Sequence, residues 1–131
     1  MDTNVWLERL LEQERSQEVG NFLDKITSNK LFITDFAFHS IGVIMSRLNK
    51  NDAFLSFVDD IFINGAVTLV RLEPEDMQRL VQVIEQFKMD FDDAYHYTAA
   101  EKYNLTIVSF DRHFDGTKLG RKTPGEIVKA R

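Results

Sequence analysis

Apolar residues recur along the chain at two spacings, and each spacing names an element. Val5, Leu7, Leu10 and Leu11 fall near one helical face over residues 4–14, and Val19, Phe22, Leu23 and Ile26 repeat the 3.6-residue period over 17–26. A short apolar run at 31–34, entered from the turn-like 28–30, predicts a strand, and Asp35 follows where a helix N-cap belongs. The helix after it carries Ile41, Val43, Ile44 and Leu48 and is stopped by Asn49, Lys50 and Asn51. Asp52 opens the next, with an apolar stripe of Phe54, Leu55, Val58, Ile61 and Phe62. Phe57 falls off that stripe, which predicts either a surface for a second copy or an inhibitor protein, or a core face wider than the stripe.

The second half repeats the alternation. Asn64 and Gly65 end a helix, and the β-branched run at 67–70 predicts a strand. Pro74 suits the first position of a helix and Glu75 and Asp76 suit its positive end, ahead of a stripe of Met77, Leu80, Val81 and Ile84. A further helix opens at 90–93 and presents Phe91, Ala94, Tyr95, Thr98 and Ala99, a face small enough to lie close on a sheet. Residues 106–109 predict a third strand. Helices alternating with short apolar strands give an α/β fold, a three-layer α/β/α sandwich with a short, mainly parallel sheet. In such sheets ligands collect at the carboxyl ends of the strands.

Composition narrows the chemistry. The 131 residues suit a single domain over 1–131, and 44% hydrophobic with 28% charged residues is ordinary globular usage. No apolar run reaches the ~18 residues of a membrane span and no signal-peptide pattern opens the chain, so an intracellular, cytoplasmic protein without a membrane partner is expected. There is no Cys, which excludes disulfides, a catalytic thiol and thiolate zinc sites. His39, His96 and His113 show no metal-binding spacing, and His113 reads as an exposed turn residue. Trp6, Tyr95 and Tyr97 read as core or subunit contact rather than as platforms for bases. The net charge of −5 is unevenly spread: residues 1–111 hold 10 basic and 19 acidic side chains, whereas 112–131 hold 6 and 2. That basic end, with Arg112, Lys118, Arg121 and Lys122, is either a solvated tail or a lean-to for a phosphate backbone.

Against this frame the acids are informative. Asp35 and Asp111 follow predicted strands, Asp2 precedes the first helix, and Asp92 and Asp93 lie in the first turn of the helix before the last strand. Each has an innocent role as a cap, a turn former or a partner of a helix dipole. Together they fall where several carboxylates can converge, and like charges at close range require a counter-cation. Oxygen-only ligands select a hard ion, Mg²⁺ or Mn²⁺.

The ordered set of Asp2-Thr3-Asn4-Val5, Asp93-Ala94 opening a helix that runs to Ala99-Ala100-Glu101, and 106–111 followed by Phe114 resembles the PIN-domain nucleases, including the VapC-like toxins of prokaryotic toxin–antitoxin pairs. The resemblance implies a metal-dependent ribonuclease, with RNA as substrate and an antitoxin protein and a homodimer among its expected partners. By position it implies Asp2, Asp93 and Asp111 as catalytic metal ligands, with Asp35 or Asp92 completing the set. Asn4, Ser40 and Ser109 would stand behind them, and Arg112, Lys118, Arg121 and Lys122 would hold the RNA backbone. Two departures accompany it. Family members place a short apolar strand before the first acid, where only Met1 stands, so that strand is clipped or replaced by a neighbouring segment. They also carry a Glu where this chain has Ser40; the site is weakened there, or uses Asp35, five residues earlier. Phosphatases that need an Asp two residues after the first acid meet Asn4 instead, and nucleases built on an Asp-x-Asp pair need it after a strand, whereas Asp90 and Asp92 open a helix. The stronger alternative is a noncatalytic RNA- or protein-binding module with a degenerate site.

Overall fold

A computed structural model describes residues 1, 3–11, 15–26 and 28–129, so Asp2 lies outside the described residues, as does the side chain of Asn4. Helix α1 (Thr3–Leu10) buries Val5 and Trp6, and α2 (Ser16–Lys25) buries Val19 and Phe22 against it. Strand β1 (Phe32–Thr34) leads directly into α3 (Asp35–Arg47). The cap of α3 is Thr34, whose Oγ1 accepts from the Ala37 N–H at 2.9 Å, and Asp35 is the first helical residue. The expected Asp35 cap is thus displaced by one position, because the extended backbone ends at Thr34 and puts that hydroxyl within reach of the third helical amide.

Helix α3 buries Ala37, Ile41 and Met45 at four-residue steps. Helix α4 (Asn51–Val58) widens into a π turn over Asp59–Ile63, and its buried face is Phe57 with Ile61. Phe57 is 5% exposed and meets the Trp6 ring edge-on at 5.4 Å between centroids, whereas Leu55 is 61% exposed. The core face is therefore rotated from the sequence stripe, and the reading of Phe57 as an interaction surface gives way to the wider core. Trp6 supplies the reason, since α1 lies on that flank. Gly65 follows the π turn where any Cβ would stand 2.5 Å from the Asp60 carbonyl oxygen.

Strand β2 (Thr68–Val70) pairs with β1 in parallel, Phe32 opposite Thr68 and Thr34 opposite Val70. The predicted third strand at 106–109 is an isolated parallel bridge, Val108 to Lys122, in which the Lys122 N–H donates to the Ile107 carbonyl and the Ser109 N–H to the Lys122 carbonyl. Its β-branched residues extend the backbone, but among the described residues the partner strand is one residue long.

Pro74 starts a 3₁₀ turn (Pro74–Asp76) that leads into α5 (Met77–Phe87), with the Asp76 carboxylate accepting from the Glu73 N–H at 2.7 Å. Helix α6 (Phe91–Lys102) packs on α5, and residues 93–100 are all buried. Helix α7 (Pro124–Lys129) packs on α2, where the Glu18 carboxylate accepts from the Gly125 N–H. Two apolar clusters result: Trp6, Phe22, Ile33 and Ile41 on the α1–α4 side, and Leu80, Val83, Tyr97 and Phe114 on the α5–α6 side. The sheet lies between them, which is the expected α/β sandwich. Among the described residues no helix is long and apolar enough to cross a membrane.

Candidate metal centre

The opening of α6 is fixed by Asp90, whose side chain accepts from the Asp93 N–H at 2.9 Å. That cap orients the first turn so that Asp93, 8% exposed, points inward while Asp92 stays on the surface. Asp111 is placed by a second set of local bonds. Its N–H donates to the Ser109 hydroxyl at 2.9 Å, and its carboxylate accepts from the His113 N–H at 2.8 Å to cap a 3₁₀ turn (Arg112–Phe114). Ser109 is fully buried, and Phe114 anchors the turn in the core.

These two local structures bring Asp93 and Asp111 to one imidazole. Nδ1 of His113 is 3.0 Å from a carboxylate oxygen of Asp93 and 3.1 Å from one of Asp111. The three side chains offer ligand atoms all within 4.8 Å of one another. The hydrogen bond to Asp93, then the negative charge of Asp111, raises the His113 pKa above its ordinary value. The ring thus occupies the place between two carboxylates that a cation would take. A carboxylate pair with an imidazole suits Mn²⁺, and the carboxylates alone suit Mg²⁺.

A family model for the PIN domain matches residues 1–118, which include all three residues of this cluster. The chain belongs to the PIN domain family. PIN domains are generally nucleases and typically bind divalent metals. A solved toxin–antitoxin complex from Klebsiella pneumoniae contains a chain of the same fold, with a TM-score of 0.74 at 15% identity over 94% of each chain. No curated protein matches the sequence significantly.

The remaining residues singled out in this PIN domain are distributed as follows. Asp35 and Asp92 lie outside the three-residue cluster. One oxygen of Asp35 accepts from its neighbour Phe36 N–H at 2.8 Å and from the Tyr95 hydroxyl at 2.7 Å. The same Tyr95 oxygen accepts from the Leu72 N–H at 3.0 Å, so it ties the exit of β2 to the start of α3. Burial first, and then the Asp35 carboxylate, push its phenol up to about 12. Ser40 is half-buried on α3. Arg121 is turned into the fold, where its guanidinium grips Asp115 at 2.9 Å and the Ser109 carbonyl at 3.2 Å, while Arg112, Lys118 and Lys122 are exposed.

Two side-chain convergences escaped sequence reasoning. His113 was legible as a neighbour of Asp111, yet nothing in spacing showed that Asp93, twenty residues away, would meet it. Tyr95 read as an aromatic of the core; its tie to Asp35 spans sixty residues.

Proposed function

We infer that this PIN domain is a divalent-metal-dependent ribonuclease whose centre is built on Asp93 and Asp111. The observation that supports the reading is the convergence of these carboxylates on one point from two separate elements. Asp93 and Asp111 would hold Mg²⁺ or Mn²⁺, with Asp2 as a third ligand and His113 either joining them or moving aside as the ion enters. The ion supplies activation of water and neutralisation of the charge that builds on the phosphate oxygens. The chain's own contribution is position: Asp90 fixes Asp93, Ser109 fixes Asp111, and Arg121 holds the Ser109 carbonyl so that the loop under Asp111 keeps its shape. Arg112, Lys118 and Lys122 offer exposed charges for an RNA backbone, whereas Arg121 serves the loop. Asp35 and Asp92 belong to the surroundings of the site rather than to its ligand set. The fold shared with a chain of a toxin–antitoxin complex supports a toxin role and an antitoxin partner. A second reading, a noncatalytic binding module, is favoured by Ser40 in the place of an acid and by the His113 ring already lying between the two carboxylates.

Labelled single-stranded RNA incubated with the purified protein, with Mn²⁺ or Mg²⁺ and then with chelator, separates the readings. Cleavage should require the metal and fall on the order of 100-fold or more in Asp93→Asn, as loss of charge at a ligand position demands. RNA bound but never cut, with no rise in melting temperature on adding metal, establishes the binding module instead.

A further inference from the structure

One cation from the acidic part of the chain ends beside the carboxylate centre. The guanidinium of Arg15, at the entrance to α2, lies over the face of the Phe110 ring with its carbon 3.8 Å from the centroid. Phe110 is half-buried and stands between Ser109 and Asp111, the hydroxyl and the carboxylate that shape the loop of the site. The contact joins two stretches far apart in sequence, and neither residue belongs to a basic run or to a helical stripe.

The guanidinium is held by more than the ring. Its Nε and Nη2 both donate to one oxygen of Glu18, at 3.2 and 2.8 Å, and the other Glu18 oxygen accepts from the Gly125 N–H of α7 at 2.8 Å. The Arg15 N–H donates to the Glu8 carboxylate at 2.9 Å. One edge of the fork is thus on Glu18 and one face on Phe110, yet the Arg15 side chain is still 44% exposed, so solvent reaches the outer face of the plane. Glu18 offsets the charge, which makes Arg15 a poor holder of phosphate, but leaves the flat, weakly hydrated surface intact. Bases splayed from a single strand stack on such guanidinium planes. Trp6, Tyr95 and Tyr97 have no comparable surface to offer, since all three are buried.

We propose that the Arg15–Phe110 pair is a stacking platform for one base of a single-stranded RNA, that of a nucleotide flanking the phosphate at Asp93 and Asp111. The platform rests on the ribonuclease reading of the centre and adds to it the side chain that seats a base. Arg112, exposed and next to Asp111 on the other side in sequence, is left for the backbone.

Binding of a short labelled single-stranded RNA, followed by fluorescence anisotropy in chelator so that no strand is cut, tests the platform. Arg15→Ala should weaken binding about tenfold or more, as loss of one stacked base does. Arg15→Lys keeps the charge and loses the plane, and should weaken binding nearly as much. In a series of RNAs each lacking a single base, one position should cost the natural protein about tenfold and cost Arg15→Ala nothing. Lys binding as well as Arg overturns the platform, because it reduces Arg15 to a contact of charge alone. So does a series in which no missing base weakens binding to the natural protein, a result that needs no variant, and so does a natural protein that binds no RNA. Cleavage with Mn²⁺ or Mg²⁺, measured separately, reports on the ribonuclease reading. Cutting without any of the base-dependent effects keeps that reading and discards the platform; base-dependent binding without cutting keeps the platform on a noncatalytic RNA-binding module.

Discussion

At the scale of single residues, the site rests on side chains that each satisfy a backbone group and a functional group together. Asp111 caps the turn that carries His113 and also contacts its ring; Tyr95 accepts from the Leu72 N–H while donating to Asp35. Replacing Tyr95 with Phe keeps the ring in place and removes both bonds, leaving a buried N–H without its partner. Chemical denaturation should show a loss of about 1–3 kcal/mol, the usual cost of such an orphan. The same residue sets an alkaline limit. A tyrosine raised from 10.0 to about 12 on folding adds stability that is fully present below pH 10 and is lost as pH rises toward 12. Melting curves across that window should fall for the natural protein, and Tyr95→Phe should lack this component of the slope.

At the scale of elements, the periodicity located helices well and their faces less well. The stripe of α4 placed Leu55 inside and Phe57 outside, and the fold reverses the two because Trp6 on α1 meets the Phe57 ring. Phe57→Ala should therefore cost about 3–5 kcal/mol, as large aromatic truncations in cores do, while Leu55→Ala should change stability by about 0.5 kcal/mol or less. Equal costs, measured by urea unfolding, would show that the face is not rotated. Helix α6 is the opposite case. Eight successive buried residues leave no amphipathic stripe, so its burial on all sides follows from its place among α5, Leu72, Ile107 and Phe114 rather than from its pattern.

For the whole molecule, the α5–α6 pair is clamped at its surface by the bidentate Arg79–Glu101 pair, at 2.7 and 2.8 Å, and by Lys102 with Asp76. The hydrogen bond from Arg79 holds the Glu101 carboxyl below its ordinary value of 4.5. A depressed carboxylate adds stability above that value and loses it as pH falls through the lower folded value. Glu101→Gln should thus lower the melting temperature slightly at neutral pH, by an amount matching the ~0.2–1 kcal/mol of exposed ion pairs, and the difference should vanish in acid. The sequence by itself determined the order of the helices through α6 and of the first two strands, the parallel α/β class, and Asp93 and Asp111 among the candidate ligands, because those depend on local period, on capping chemistry and on position after a strand. The tertiary structure decided that His113 joins those two acids, that Asp35 answers to Tyr95, that Arg121 serves a loop, and that among the described residues the third strand is a single bridge. Each of these depends on which distant backbone edges and side chains the packing of two helical layers brings within a few ångströms, and no local spacing encodes that distance.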